Sequence, residues 1–271
     1  VHKQGCILQI CSQQRSSTQF RYAAELVRNG RIGKLKEVLI GLPKDPSGDV
    51  EPEMPIPSNL NYNAWIGPTP YVYYTEKRVH PQNDYSRPGW MRGENYCAGM
   101  ITNWGAHHID CAHWAMNTEY TGPKEVWGTA VYPTSGLWDV MGDFTTYGLY
   151  DNGVKMTIST DLPNGIKYVG TEGWIFVTRG AYKASASDPV AASGQKALTA
   201  SNDSIITSVI GENEVNLYRS EEHHGNWLDC VKSRKQPIAP VEVGHRSCST
   251  CIVHSIAMKT KRKLYWNATD E

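Results

Sequence analysis

Hydrophobic and polar positions follow two periods along this chain, and the first third predicts a strand, a helix and a second strand. Residues 6–11 form a short apolar run with the length of a buried strand. Residues 16–29 repeat apolar side chains every three or four positions, and a capping box led by Ser16 predicts where this helix begins. Residues 36–42 alternate as in a half-buried strand.

The second half of the chain has mostly the two-residue period of strands. Strands are predicted at 124–132, 144–150, 154–160, 166–169, 174–177 and 263–266. Asp151-Asn152-Gly153 lies between two of them and is typical of a hairpin turn. Residues 181–208, rich in Ala, Ser and Asp, predict a loop, and two helices near the end close the chain. This pattern predicts an α+β fold with an open, mostly antiparallel but mixed sheet and helices packed on one face.

One run in the middle of the chain, residues 97–116, combines small apolar residues with histidines, an amide and a carboxylate. If the run is a helix, Asn103, His107, Asp110 and Trp114 lie on one face because residues three and four apart are neighbours. An amide, an imidazole and a carboxylate in one line predict the wall of a functional site.

Composition excludes some classes of partner. Lys+Arg and Asp+Glu are both 27, so the net charge is zero and neither a nucleic acid nor an acidic membrane surface is an expected partner. No apolar run is long enough to span a bilayer. Fifteen Tyr and nine Trp against three Phe suit polar clefts that bind sugars, although half-buried sheet positions explain most of them.

Two groups of residues offer the ligand types of a metal site. Cys248 and Cys251 form a CxxC, but the chain has no second pair, so we expect helix core rather than a zinc site. His107, Asp110 and His80 offer nitrogen and oxygen ligands suited to zinc or manganese. No HExxH-type spacing accompanies them, and we predict no metal.

Several ordered motifs resemble one branch of the Gfo/Idh/MocA oxidoreductase family. The motifs are SQQRS with ELVRNGRIGKL, WIGPTP, KRVHP, GMITNWGAHHID, VGTEGWIFVTRG and DCVKSRKQPIAPVEVGHRS. They extend from about Cys6 to Trp266. The resemblance implies the C-terminal domain fold found in dihydrodipicolinate-reductase-like and glucose-fructose oxidoreductase-like proteins.

The resemblance also implies a cofactor, NAD or NADP, in the full-length parent. In the family a Rossmann domain with a Gly-rich turn and a Glu-Lys-Pro motif precedes this domain, and this sequence has neither motif. Residues 1–14 are therefore expected to be the last strand and linker of that domain. Residues 15–271 are expected to form a substrate-binding and oligomerisation domain that does not bind the cofactor alone.

Site residues carry over by their positions in the matched motifs. The resemblance implies that His107 is the acid/base, a role that suits an imidazole because its ordinary pKa lies near neutral. Asn103 is its partner at a position where the family commonly has Asp, and an amide orients but does not titrate. The expected substrate contacts, chosen because forked, ring and polar side chains bind hydroxylated or carboxylated molecules, are Arg15, Arg78, His80, His108, Trp90 and Asp110.

The predicted function is substrate binding in an NAD(P)-dependent dehydrogenase acting on a sugar, polyol or glycoside. The alternative is a stand-alone carbohydrate-binding or assembly module without redox activity, and the parent's chemistry is either redox or redox-neutral. By resemblance we expect a homo-oligomer formed through the sheet face. The expected compartment is the cytoplasm, or the periplasm if an export signal was removed with the N-terminus.

Overall fold

The structure, a computed structural model, describes residues 1–79, 89–180, 194 and 196–267, and eight strands within them form one open sheet. The strands are β1 (Leu35–Gly41), β2 (Glu125–Ala130), β3 (Phe144–Leu149), β4 (Lys155–Ser159), β5 (Gly165–Gly170), β6 (Trp174–Val177), β7 (Leu198–Ala200) and β8 (Leu264–Tyr265). Their order in space is β7-β6-β5-β1-β4-β3-β2-β8. β1 and β4 are parallel, and the other pairs are antiparallel. The predicted mixed, mostly antiparallel sheet is confirmed.

Alternation along the central strands places one face of the sheet in the core. Val38 and Ile40 of β1 are fully buried, and they lie beside Met156 and Ile158 of β4 in the parallel register. The residues between them point to the opposite face and are partly exposed. This two-residue period, visible in the sequence, determines which face the helices cover.

Helices pack against that apolar face, as predicted. Within the described residues the helices are α1 (Thr18–Arg28), α2 (Tyr62–Ile66), α3 (Glu76–Val79), α4 (Trp104–Met116), α5 (Asp203–Ile206), α6 (His223–Ser233) and α7 (Val241–Thr260). Of these, α1, α4, α5 and α7 contact strands of the sheet, whereas α2 and α3 belong to a small separate core. α4 lies between α1 and α7 and contacts β1 and β5. Phe20, Ala23, Ala24 and Val27 form the buried stripe of α1. No helix in this part of the chain is long and apolar enough to cross a membrane.

The predicted hairpin between β3 and β4 is also confirmed. Gly153 has a φ of +81°, a left-handed conformation that favours glycine. The Asn152 side chain accepts a hydrogen bond from the Val154 amide at 3.0 Å, which closes the turn.

Two predictions for the start of the chain are wrong. Residues 6–10 form no strand and are absent from the sheet, so no ladder buries them, and Cys6 and Leu8 are exposed. The Ser16 capping box is absent because α1 begins at Thr18 and the Ser16 hydroxyl bonds the distant residues Ser220 and His223 instead. A tertiary partner has replaced the local bond that the spacing suggested.

Two further segments differ from the predicted elements. The helix expected over 97–116 is divided into a 3₁₀ turn at Gly99–Ile101 and α4, which begins at Trp104. The loop expected over 181–208 contains β7 and α5, whereas residues 181–193 lie outside the described residues. β7 adds an edge strand that a short polar sequence does not signal.

Candidate active-site cleft

An open cleft of about 580 Å³ lies where the start of α4 meets α7 and a 3₁₀ turn at Gly89–Arg92. Its lining combines rings, amides, thiols and one imidazole: Trp90, Met91, Glu94, Asn95, Tyr96, Cys97, Ala98, Thr102, Asn103, Ala106, His107, Cys248 and Ile252. This volume is within the usual range for sites that bind small molecules. The cleft therefore contains three residues predicted from the sequence: Asn103, His107 and Trp90.

The backbone before α4 is held by the buried carboxylate of Asp45, which comes soon after β1 in the chain. Asp45 is 2% exposed and accepts a hydrogen bond from the Met100 amide at 2.9 Å. Gly99 has a φ of +69°, and a β-carbon there would lie 2.8 Å from the Asp45 carboxylate. Glycine is thus required both for the conformation and for the close approach. This contact sets the position at which α4 enters the cleft.

Asn103 and His107 reach the cleft from successive turns. Asn103 is the N-cap residue of α4, yet its side chain makes no capping bond among the described residues and lies 3.7 Å from the Met91 sulfur. His107, four residues later, is half-buried. An amide and an imidazole one helical turn apart can bind and orient a hydroxyl group. The structure thus brings the two predicted catalytic residues to one cavity.

His108, the next residue of α4, does not line the cleft and belongs to a buried chain of hydrogen bonds. The Gln14 amide lies 3.2 Å from Nδ1 of His108 and donates to it, so the ring's Nε2–H donates to the Asn164 side chain at 3.0 Å. Arg179 donates to the other end of Gln14 at 3.1 Å. Burial lowers the pKa of His108 to about 3, although the Asn164 bond opposes the shift. The predicted substrate contact at His108 is not supported, because the ring is enclosed and both nitrogens are used.

Asp110 also turns away from the cleft and forms a buried ion pair. Its carboxylate accepts two bonds from Arg15, at 2.6 and 2.9 Å, and one from the Ser247 hydroxyl at 3.2 Å. Arg15 bonds Glu119 at 2.8 Å and stacks 4.9 Å from the Trp114 ring centroid. Burial opposes the charge on Arg15, but the two carboxylates outweigh it and raise the guanidinium pKa.

The side chains of Arg15 and Asp110 are 2% and 1% exposed, so the expected substrate contacts at these positions are not supported either. Their role in this geometry is to fasten the loop before α1 to α4. The alternative metal site of His107, Asp110 and His80 loses a ligand for the same reason, because the Asp110 carboxylate binds Arg15 and does not face the cleft. Within the described ranges no group of three His, Cys, Asp or Glu is placed to hold a metal ion.

The remaining predicted contacts have different positions. Arg78 lies over the Tyr73 ring at 5.0 Å, beside a small separate core that contains Tyr62. Trp90 is 37% exposed at the mouth of the cleft. His80 lies outside the described residues.

Several cleft residues were missed from the sequence. Cys248 and Ile252 reach the cleft from α7, four residues apart on one helical face, and that spacing was the available signal. Glu94 forms an ion pair with Lys259 of α7 and so connects the two sides of the cleft. This pair joins residues 165 positions apart, which no local pattern reveals.

Comparison with known proteins supports the same family. A model described as "Oxidoreductase family, C-terminal alpha/beta domain", of the Gfo/Idh/MocA type, matches residues 47–181, a segment that includes Trp90, Asn103 and His107. The search of curated proteins found no match.

Three solved structures share the fold over nearly the whole chain. Aldose-aldose oxidoreductase from Caulobacter crescentus, complexed with glycerol, has 14% identity and a TM-score of 0.59, with 98% of this chain and 65% of that one covered. The WlbA dehydrogenase from Bordetella pertussis, in complex with NADH and UDP-GlcNAcA, has 11% identity and a TM-score of 0.57, with coverage of 98% and 65%. Myo-inositol 2-dehydrogenase from Lactobacillus plantarum has 13% identity and a TM-score of 0.54, with coverage of 97% and 66%.

The chain thus spans 65–66% of the length of these proteins. At 11–14% identity, their likeness establishes the fold, which agrees with the predicted architecture. The family model supplies the assignment, and the resemblance stated from the motifs is confirmed. The chain belongs to the Gfo/Idh/MocA oxidoreductase family and contains its C-terminal alpha/beta domain.

Proposed function

We propose that this chain binds the substrate of an NAD(P)-dependent oxidoreductase acting on a sugar, polyol or glycoside. The observation that supports this most is that His107, Asn103 and Trp90 line one cleft of the family's C-terminal domain. The similar structures include proteins named for aldoses and myo-inositol, which is consistent with a hydroxylated substrate.

In the proposed reaction, His107 accepts the proton of the substrate hydroxyl whose carbon is oxidised. An imidazole suits this role because its ordinary pKa lies near neutral. Asn103 does not titrate, so it orients the same hydroxyl or the ring through its amide. The Trp90 ring offers a face for the C–H side of a sugar, and the neighbouring amide of Asn95 offers hydrogen bonds.

The cofactor does not fit the residues that the structure describes. A dinucleotide site needs a Gly-rich turn between a strand and the start of a helix in a parallel βαβ unit. In the described sheet the parallel strands are β1 and β4, and they form no compact βαβ unit because β2 and β3 come between them in the sequence. No GxGxxG occurs in the sequence either. We therefore place the NAD(P) site outside the described residues and derive no step through it.

The proposed assembly is a homo-oligomer formed through the sheet face that the helices leave uncovered. That face presents Trp127 stacked on Tyr147, with ring centroids 5.4 Å apart. Lys155 lies over Tyr147 at 4.7 Å, and Lys263 lies over Trp127 at 5.1 Å. Light scattering of the purified protein tests the proposal, and a monomeric mass at micromolar concentration contradicts it.

His107→Ala tests the proposed activity in the intact protein supplied with NAD or NADP and a panel of sugars and polyols. Loss of the general base lowers kcat by about 100- to 10,000-fold. The matched control is His245→Ala, because His245 is an exposed histidine that does not line the cleft. Unchanged turnover in His107→Ala refutes the catalytic assignment.

A second function, a carbohydrate-binding module without redox activity, is favoured by one observation. Asn103 occupies the position where the resemblance leads us to expect Asp, and an amide cannot complete a carboxylate–imidazole relay. Calorimetric titration with NAD, NADP and a panel of sugars separates the two functions. Sugar binding without NAD(P) binding or turnover supports the module, and NAD(P)-dependent turnover excludes it.

A further inference from the structure

A second group of reactive side chains lies away from the His107 cleft, where the loop before α1 meets the start of α6. Ser16 Oγ is 3.0 Å from Nδ1 of His223, and Nε2 of His223 is 2.9 Å from the Ile10 carbonyl oxygen. A hydroxyl, an imidazole and a third group that fixes the ring form the arrangement of an activated nucleophile. The loop residues are more than 200 positions from His223, so the fold assembles the group.

The hydrogen-bond partners determine the tautomer of His223. A backbone carbonyl only accepts, so Nε2 carries the ring proton of the neutral imidazole and Nδ1 has a free lone pair. Ser16 is a hydroxyl placed to donate to that lone pair. The Ser220 hydroxyl lies 2.8 Å from Ser16 Oγ and 3.3 Å from the Glu222 carbonyl oxygen, and it has one proton to donate to either. When it donates to Ser16, the shorter contact, the Ser16 proton is directed at His223.

The environment keeps His223 in the form that accepts a proton. Burial lowers the pKa of His223, although the bond to the Ile10 carbonyl opposes this shift. Of the nearby charged groups, His224 lowers the pKa, whereas Glu222 and Asp110 raise it. The ring is therefore neutral at pH 7 and acts as a base.

Ser16 and His223 line a cleft of about 480 Å³ beside the first turn of α1. The Ser17 side chain caps no amide among the described residues, and the first N–H groups of an α-helix have no carbonyl partner within it. Ser17, the N-cap residue of α1, also lines this cleft, so the positive end of the helix lies beside Ser16, where it favours a developing oxyanion. The carboxylates of Glu221 and Glu222 line the same cleft and disfavour an anionic ligand.

We propose that Ser16 and His223 form a second, hydrolytic site that cleaves small uncharged carboxylic esters. Ser16 Oγ bonds the ester carbonyl carbon while its proton passes to Nδ1 of His223. The C–O bond to the alcohol then breaks, and the alkoxide leaves with that proton. Water, deprotonated by His223, releases the acid and restores the Ser16 hydroxyl. The step needs no oxidant, reductant or cofactor.

The test uses the purified chain, p-nitrophenyl acetate as the substrate and a fluorophosphonate as the covalent probe. We expect the probe on Ser16, located by peptide mass spectrometry, and ester hydrolysis that falls about 100-fold or more in His223→Gln. Ser16→Ala removes both the label and the hydrolysis. Ser233→Ala, an exposed serine bonded within its own helix, is the matched control and changes neither.

Other outcomes overturn the proposal. Cys11 is an exposed thiol in the same cleft, so hydrolysis that disappears in Cys11→Ser and persists in Ser16→Ala identifies thiol chemistry instead. A wild-type protein that takes no label at Ser16, or hydrolyses the ester no faster than Ser16→Ala, also refutes the site. Circular dichroism and the Tm of each variant separate loss of chemistry from loss of fold.

Discussion

Replacing Asp110 by Asn removes the charge that balances Arg15 in the interior while it preserves the shape of the side chain. Both side chains are at most 2% exposed, and two hydrogen bonds of 2.6 and 2.9 Å join them. Removing one partner of a buried pair costs about 3–5 kcal/mol, because the other charge is left uncompensated. Glu119 remains bonded to Arg15 at 2.8 Å, so we expect a value near the lower end, about 3 kcal/mol.

That loss corresponds to a decrease in Tm of about 6–12 °C, taking about 2–4 °C per kcal/mol for a large domain. Urea unfolding followed by circular dichroism measures the change in the free energy of unfolding. The double variant Arg15→Met/Asp110→Leu removes both charges, so it is expected to lose less stability than Asp110→Asn alone.

The matched control is Lys44→Met, which breaks the ion pair with Asp143, where the two side chains are 55% and 50% exposed. Exposed pairs contribute about 0–1 kcal/mol, so we expect a change within that range. If Asp110→Asn costs less than about 1 kcal/mol, the buried pair does not fasten the loop to α4 and the assignment is wrong.

Two further predictions concern acid stability and the entry to α4. Three fully buried histidines each have a pKa lowered by burial to about 3: His108, His113 and His254. In the unfolded chain these histidines bind protons at an ordinary pKa of about 6.5, whereas in the folded protein they stay neutral down to about pH 3. The free energy of unfolding is therefore highest above pH 6.5 and decreases as the pH falls towards 3, by about 4 kcal/mol per pH unit for the three histidines together. Urea unfolding at pH 7, 6 and 5 measures this, and a free energy independent of pH contradicts it. Gly99→Ala is expected to cost more than the about 1–2 kcal/mol of a left-handed φ alone, because the new β-carbon lies 2.8 Å from the Asp45 carboxylate. The control is Gly30→Ala, since Gly30 also has a positive φ, +71°, but open space around it. An equal loss of Tm in both variants shows that the contact with Asp45 does not matter.

The sheet was predictable from the sequence because its signals are local. The strand period, the Asp151-Asn152-Gly153 turn and the stripe of α1 depend on neighbours within a few residues. The strand expected at 6–11 was wrong because a strand also needs a partner, and no described strand pairs with it. An apolar run indicates that a segment tends to be buried, but it does not specify the neighbouring strand that would bury it.

The site was predictable only in part. Spacing on α4 identified Asn103 and His107, but it could not show that Asp110, three residues later, turns to an arginine 95 positions away. Gln14 was missed although it bonds both His108 and Arg179, because a glutamine in a polar turn carries no periodic signal. The capping role predicted for Ser16 failed for a related reason, since its partners come from residues 220 and 223.

The position of β1 in the centre of the sheet has a consequence for the order of folding. Its two neighbours, β4 and β5, come more than 110 residues later in the chain. During synthesis β1 therefore remains without a partner, with the apolar side chains of Val38 and Ile40 exposed, until most of the domain has left the ribosome. Closing such distant contacts is slow, and unpaired apolar strands promote aggregation. Refolding from denaturant is thus expected to be limited by the pairing of β1, and its yield to fall as protein concentration rises.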